Sequence, residues 1–591
     1  VRFLLALLLA ATVAQAGDPW WNEKTLDLFA RLPVQDGGRT KPLSTVFSFA
    51  LLRINHQRSF KDADGNKRSS LEWGLSVLFH PESARRENVF LVENHDVLDA
   101  IGLAHEGHKR RDRYTYEDLL PARDRLLSLG HDYSALEASQ RNPVQGQLVH
   151  LAHNFMEFER LLHFLDFARV GGAVEALASL RQGGPGGDAL KEELSRAFGG
   201  ALALALLPPT DGSDEWLTPR DVAEMALRDM PVAPEHLEML GILEDLVRSR
   251  DEPGVFEQAA AALEARSRKL AEPLGSYGKI GLEVSFYRLD PFYRSLTIFL
   301  GAFLLVALGW LRPNKWFAWG ASGLAWSGVG LTIAGIVLRC ILRGRPPVST
   351  LYETVIFITA VGVLAALVME IINRRRIGLA AAPILGALGL FVAGRFEEIN
   401  REDTMPQLVA VLDTNFWLAT HVTCITIGYA AGLLAAAIAH VHLFGRALGW
   451  KRDDTSFYRG VTRMVYGVTC FSLIFSVVGT ILGGVWANES WGRFWGWDPK
   501  ENGALLIVLA QLALLHGRMG GYLRDLGVCM AAVGTGCVVA WSWWGVNLLG
   551  VGLHSYGFTE GVWNGLIAFG GVEAVTLGVG FVGWLRIRKP K

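Results

Sequence analysis

Seven tryptophans gathered into two short stretches, and five histidines spread around them, are the residues in this 591-residue chain best suited to chemistry. Trp486 precedes the run WGRFWGWDPKENGALL, Trp491 to Leu506, and Trp541, Trp543 and Trp544 follow in a second stretch. An indole has an apolar body and one N–H, so a belt at a membrane interface is its ordinary use. Asp498, Pro499 and Glu501 fit the N-cap, N1 and N3 positions of a helix start, which needs no ligand. Neither use accounts for so many indoles interleaved with glycines, which let a flat object come close to backbone and rings. The pattern points to a flat, apolar, aromatic ligand.

A ligand of that shape carrying iron wants axial donors, and imidazole is the usual one for haem. The five histidines after residue 294 are His421, His440, His442, His516 and His554. His421 and His554 fall near the same surface and flank the Trp-rich run in sequence. His516 lies about 25 Å from the start of the helix at Pro499, at ~1.5 Å rise per residue. His440 and His442 sit at a comparable depth on another helix. Ionisable groups within apolar spans are functional candidates, although a histidine near a helix end also serves as an interface residue or a partner of the helix dipole. The five cysteines, Cys340, Cys424, Cys470, Cys529 and Cys537, form no CxxC pair, which excludes a zinc site, a thiol relay and a disulfide framework.

These side chains need long apolar elements to position them. Half of the residues are hydrophobic and mean hydropathy is +0.25, too apolar for an ordinary soluble enzyme. The net charge of -1 averages unlike parts, and the absence of a basic tract sets nucleic acid aside as a partner. We expect an all-α chain: a polytopic membrane helical bundle of about nine spans, with an N-terminal, mainly helical extracytoplasmic domain. The spans are expected at 295–311, 316–338, 355–372, 379–393, 416–444, 464–482, 503–516, 526–544 and 565–585, about 20 residues sufficing to cross a bilayer. Cations collect in alternate loops, including Arg374 to Arg376 and the terminal RIRKPK, which places the N-terminal domain and the Trp-rich loop on the outer side. RCILRGRPPVST, with Arg339, Arg343 and Arg345, is the one stretch that dissents.

Residues 1–16 have the layout of a cleavable signal peptide: Arg2, an apolar run and Ala14-Gln15-Ala16. Residues 17–293 then read as a soluble extracytoplasmic domain, and the lack of any thiol there suits an oxidising compartment. His150 and His153 are one helical turn apart but lack a third ligand, so we read them as surface histidines and not as a metal site.

WGRFWGWDPKE resembles the tryptophan-rich WWD signature of the haem-handling protein superfamily, in the form seen in system II cytochrome c synthases of the CcsA or ResC type. GRPPVSTLYETVIF resembles that family's RxPxxNxYES segment, with Ser349-Thr350 where Asn is more usual. FWLATHVTCITIGYA and GVNLLGVGLHSYGF resemble the segments that carry its two external histidines. The resemblance covers residues 294–591, with an external Trp-rich loop at 486–501. It implies that His421 and His554 are external ligands to haem iron, that His516 is a ligand of a transmembrane haem site, and that Trp491, Trp495, Trp497 and Asp498 form the haem-presenting surface. It further implies haem b (iron protoporphyrin IX), an apocytochrome c with a CxxCH motif as partner, and a multi-pass location in the bacterial inner (cytoplasmic) membrane, among its lipids. The Trp-rich loop and N-terminal domain would then be periplasmic.

In that family the second transmembrane histidine comes from a ResB/CcsB-like membrane subunit or a fused domain. Here the N-terminal half offers no span beyond the signal, so a separate ResB-like chain is expected to supply that ligand, with His440 or His442 as an internal option. LPVQDGGRTKPLST, Leu32 to Thr45, looks like a segment of longer bacterial relatives but has no chemistry assigned. The leading reading is the haem-binding subunit of a cytochrome c synthase, joining haem vinyl groups to CxxCH thiols. Its rivals are a haem exporter or chaperone serving a separate lyase, and a structural membrane protein whose tryptophans are only a belt.

Overall fold

A computed structural model describes residues 21–181, 188–275, 277–408, 414–451, 454–551 and 562–588. The expected signal peptide at 1–16 and His554 lie outside the described residues. The chain divides into two compact units, one holding the described residues up to Arg288 together with Arg401–Gln407, the other Leu289–Asn400 and Leu408 onwards.

The first unit is built of helices around one apolar core that includes Phe47, Trp73, Phe90, Phe155 and Phe158, all fully buried. Its helices start where the sequence supplies caps: Ser69 with Glu72, Thr115 with Asp118, Asn142 with Gln145 and Thr218 with Asp221 all form reciprocal capping boxes. Three two-stranded antiparallel ribbons interrupt the helices. In the first, β1 (Pro33–Asp36) pairs with β2 (Arg39–Pro42) across Gly37 and Gly38, whose φ of +58° and +75° suit a two-residue hairpin turn. The segment LPVQDGGRTKPLST is therefore a hairpin leading into the helix Leu43–Asn55. Arg39 forks onto Glu283 at 2.8 and 3.0 Å and also reaches Asp403 at 2.8 Å. Lys41 bonds Asp36 at 2.8 Å and Asp403 at 2.9 Å. The hairpin thus holds Arg401–Gln407 within this unit through charge-assisted bonds.

The second unit contains, among the described residues, nine helices long and apolar enough to cross a membrane. They are α1 (Pro291–Leu311), α2 (Lys315–Arg343), α3 (Leu351–Asn373), α4 (Ile377–Asn400), α5 (Asn415–Leu448), α6 (Thr455–Trp491), α7 (Pro499–Met519), α8 (Asp525–Trp543) and α9 (Val562–Arg588). The chain is a multi-pass membrane protein. Most helices outrun the apolar stretches that mark them, because their ends continue through polar turns with their own caps: α6 begins at the cap Asp454, ahead of the expected 464, and runs to Trp491. The core of this unit is α5, which packs against α3, α6, α8 and α9.

At the junction of α2 and α3, Arg339 and Arg343 both bond Glu353, at 2.9 and 3.0 Å, and all three side chains are buried. Ser349 also donates to Glu353, and Thr350 caps α3. Arg339 and Arg343 belong to the last turns of a helix and are partly neutralised in place, so they weigh little in a charge count over loops.

Candidate functional site

His421 stands in a π-helical turn, Leu418–Val422, near the start of α5. A single wide turn of this kind inserts one residue into the helix and re-aims the side chains after it. The His421 Nδ1–H donates to the Gly479 carbonyl on α6 at 2.8 Å, which puts the ring's lone pair on Nε2 and makes that nitrogen the one able to bind a metal. Glycine is required opposite it: a Cβ on Gly483 would lie 2.6 Å from His421 Cε1. The imidazole meets Trp486 at 5.7 Å, and Trp486 stacks on Trp417 at 6.3 Å with the planes 11° apart. Trp417 is buried and donates its Nε1–H to Glu489 at 2.9 Å. The start of α5 is also tied to the end of α2, Asn415 donating to the Gly344 carbonyl at 3.3 Å.

The Trp-rich loop runs from the C-terminus of α6 to the N-terminus of α7. Gly492, at φ +70°, ends α6 in the left-handed conformation. Asp498 caps α7, accepting from Lys500 N at 3.0 Å, while Glu501 accepts from Asp498 N at 3.1 Å and Gly496 N at 2.7 Å. This is the arrangement the Asp-Pro-x-Glu spacing predicts, and it buries Asp498. Lys500 spans to the second Trp-rich stretch, its ammonium donating to the Trp543 carbonyl at 2.6 Å, and Ser542 bonds the Gly503 carbonyl at 2.9 Å. Two tethers therefore hold the start of α7 against the end of α8.

Trp491 and Trp495 are half-buried, whereas Trp497 is 71% exposed and has φ +57°. A bulky residue in the left-handed region is strained, and such strain persists only where surrounding bonds enforce it. Here Asn502 donates to the Trp497 carbonyl at 2.9 Å, next to the Asp498 cap. The result is an indole held outward, edge to face with Trp495 at 6.3 Å and 85°.

His516 is exposed on α7, its Nδ1–H donating to the Leu512 carbonyl at 2.8 Å. It lies 17 residues beyond Pro499, and so about 25 Å along the helix from the Trp-rich loop. His440 bonds the Ala436 carbonyl at 2.8 Å and faces Glu573 of α9 at 3.2 Å. His442 is 1% exposed. The structure thus brings His421 together with Trp486 and Trp417, and ties Asp498 and the Trp-rich loop to α8; it sets His516 apart from them. His150 and His153 are exposed on the helix Pro143–Leu162, and among the described residues no group of three His, Cys, Asp or Glu side chains could hold a metal ion. Sequence reasoning missed Trp417, Glu489, Gly479, Gly483 and Lys500, of which only the glycine spacing on α6 left a visible trace.

Residues 348–554 match the model of the cytochrome C assembly protein family. The chain is similar to the cytochrome c biogenesis protein CcsA of Parasynechococcus marenigrum, 32% identical over 46% of this chain and 99% of that protein. It is 33% identical to CcsA of a Synechococcus strain over 39% of this chain and 83% of the relative. Against CcsA of Chlamydomonas reinhardtii it is 32% identical over 39% of the chain and 65% of the relative. Protein NrfI of Wolinella succinogenes is 31% identical over 49% of this chain, which spans only 32% of that longer protein.

Proposed function

Because the chain belongs to the CcsA family of cytochrome c biogenesis proteins, we propose that it carries haem to the outer membrane face and presents it for thioether attachment to CxxCH apocytochromes c. The observation that carries this reading is His421: its Nδ1–H is held by the Gly479 carbonyl beside the stacked Trp486 and Trp417, so Nε2 is the donor atom. A ring fixed in this tautomer and orientation is prepared to ligate iron.

In this proposal haem b is the cargo, and His421 and His554 are its two external axial ligands. Filling both axial positions keeps oxygen from the iron until the substrate arrives. Trp491, Trp495, Trp497 and Asp498 form the shelf that presents the macrocycle, Asp498 by fixing the loop to α7. The chain's contribution to bond formation is positioning the vinyl groups against the cysteine thiols. The histidine of CxxCH then displaces one external ligand, which releases the product. His516 serves the transmembrane site, its partner supplied by a ResB/CcsB-like membrane subunit. The first unit and the Trp-rich loop lie on the periplasmic side of a bacterial inner membrane.

The test is co-expression of the chain and a ResB-like partner with a CxxCH substrate. Covalent haem in the product, reduced at least tenfold by His421→Ala or His554→Ala, is the expected result. Haem delivery that still needs a separate lyase would assign the chain as an exporter or chaperone, and a purified chain without histidine-ligated haem bands would leave the tryptophans as a belt.

A further inference from the structure

At the end of the second unit opposite the Trp-rich loop, the helices leave a cavity of about 910 Å³. That is near the top of the range for small-molecule sites, roughly 300–1,000 Å³. Three arginines line it, Arg446 at the end of α5, Arg518 in the last turn of α7 and Arg524 at the cap of α8, against one acid, Asp525. Asp525 pairs with Arg518 at 3.0 Å, so two positive charges remain among these four residues. Part of the wall is aromatic, Phe581 and Trp584 of α9 stacking at 5.6 Å and 22°.

His442 borders the same cavity. Its Nδ1 lies 3.2 Å from the Thr462 hydroxyl on α6. That hydroxyl gives its one proton to the Tyr458 carbonyl at 3.0 Å, so it accepts from the imidazole Nδ1–H. Nε2, at the far edge of the ring, then carries the lone pair. A donor nitrogen, a flat aromatic wall and a net charge of two among the described arginines and Asp525 in one cavity match an amphipathic dianion with a metal at its centre. An anionic lipid headgroup would use the arginines but gives His442 and the aromatic wall no role.

We propose that this cavity is a third haem-binding site, beside the external and transmembrane ones above, in which His442 Nε2 supplies an axial bond and Arg446 and Arg524 hold the two propionates. It rests on the haem-handling reading above and turns on His442, which the sequence offers as an internal option, and not on His421, His516 or His554. Arg518 and His516 are two positions apart on α7, which directs them to different sides of that helix.

The experiment uses the full chain, purified in detergent, in a His421→Ala, His516→Ala, His554→Ala background, titrated with haemin and, in parallel, with iron-free protoporphyrin IX. Haemin is expected to give a histidine-ligated spectrum that His442→Ala abolishes, while iron-free porphyrin still binds to that variant, which shows that the cavity has folded. His442→Met, which keeps a donor atom, is expected to shift the reduced bands without abolishing them. Arg446→Gln with Arg524→Gln is expected to weaken both porphyrins at least tenfold. A haemin spectrum indifferent to His442→Ala overturns the proposal. So does loss of phosphatidylglycerol retention in the arginine variant with haemin binding unchanged, which would assign the cavity to a lipid headgroup. Failure of the outer-face reading would be read elsewhere, as covalent haem transfer indifferent to His421→Ala in the otherwise native chain.

Discussion

His421 and Glu87 illustrate how neighbours decide what an ionisable side chain can do. A backbone carbonyl holds one edge of His421 and so leaves the ring's lone pair on Nε2. Glu87 is buried and bonded only weakly to Ser76, at 3.5 Å, and burial pushes its carboxyl up to about 8. A carboxyl whose folded pKa exceeds its unfolded value stabilises the fold fully below about 4.5 and loses that contribution as pH rises through about 8. The first unit is therefore expected to weaken between pH 5 and 8.5, by roughly 5 kcal/mol at most, since each tenfold change in proton affinity is worth ~1.4 kcal/mol. Glu87→Gln is expected to flatten that dependence. Hydrogen exchange of the helix Ser70–Phe79 at pH 6 and 8.5 measures it; equal slopes in the native chain and the variant would contradict the assignment.

At the scale of elements, the site depends on two helices that approach unusually closely. Glycines on α6 admit the π-turn of α5, and a Cβ at Gly479 would come within 2.8 Å of the Ile425 backbone. Gly483→Ala is expected to turn His421 away and cost about 1–3 kcal/mol by overpacking, with loss of the external histidine signature in the haem spectrum and retention of the His516-dependent one. An unchanged spectrum would mean that the His421 ring needs no such clearance. The existence and order of the nine spans could be read from apolar runs, because burial in lipid and burial in protein both select for them. The cap of α7 could be read because Asp, Pro and Glu act locally. The π-turn could not, since FWLATHVTCITIGYA is apolar nearly throughout and one inserted residue leaves no mark on its pattern. Trp417 was hidden for the same reason: its significance lies in Trp486 and Glu489, about 70 residues away in sequence, and nothing local announces them. The pairing of Arg339 and Arg343 with Glu353 likewise leaves no local mark in the sequence.

For the whole molecule, the notable feature is that the backbone passes between the two units three times, after Arg288, after Asn400 and after Gln407. The middle excursion is fixed by Asp403. Burial alone would raise its carboxyl, but the charges of Arg39 and Lys41 outweigh that and hold it at about 2. A depressed carboxyl contributes stability above its unfolded value near 3.8 and loses it as pH falls toward 2. Asp403→Asn is expected to cost about 3 kcal/mol, because it leaves buried cations short of a partner, and to expose Arg401–Gln407 to protease. A segment that stays protected in the variant would show that the hairpin charges are not what holds it.

The helix α5 carries His421 in the π-turn near one terminus and His442 near the other, 21 residues apart, or about 30 Å at ~1.5 Å per residue. It acts as a ruler. No porphyrin can touch both imidazoles at once, so any transit along this side of the bundle has to include at least one complete release and recapture. If both proposed haem sites are used in turn, a departure rate would set the pace, and tighter binding at either would slow the passage.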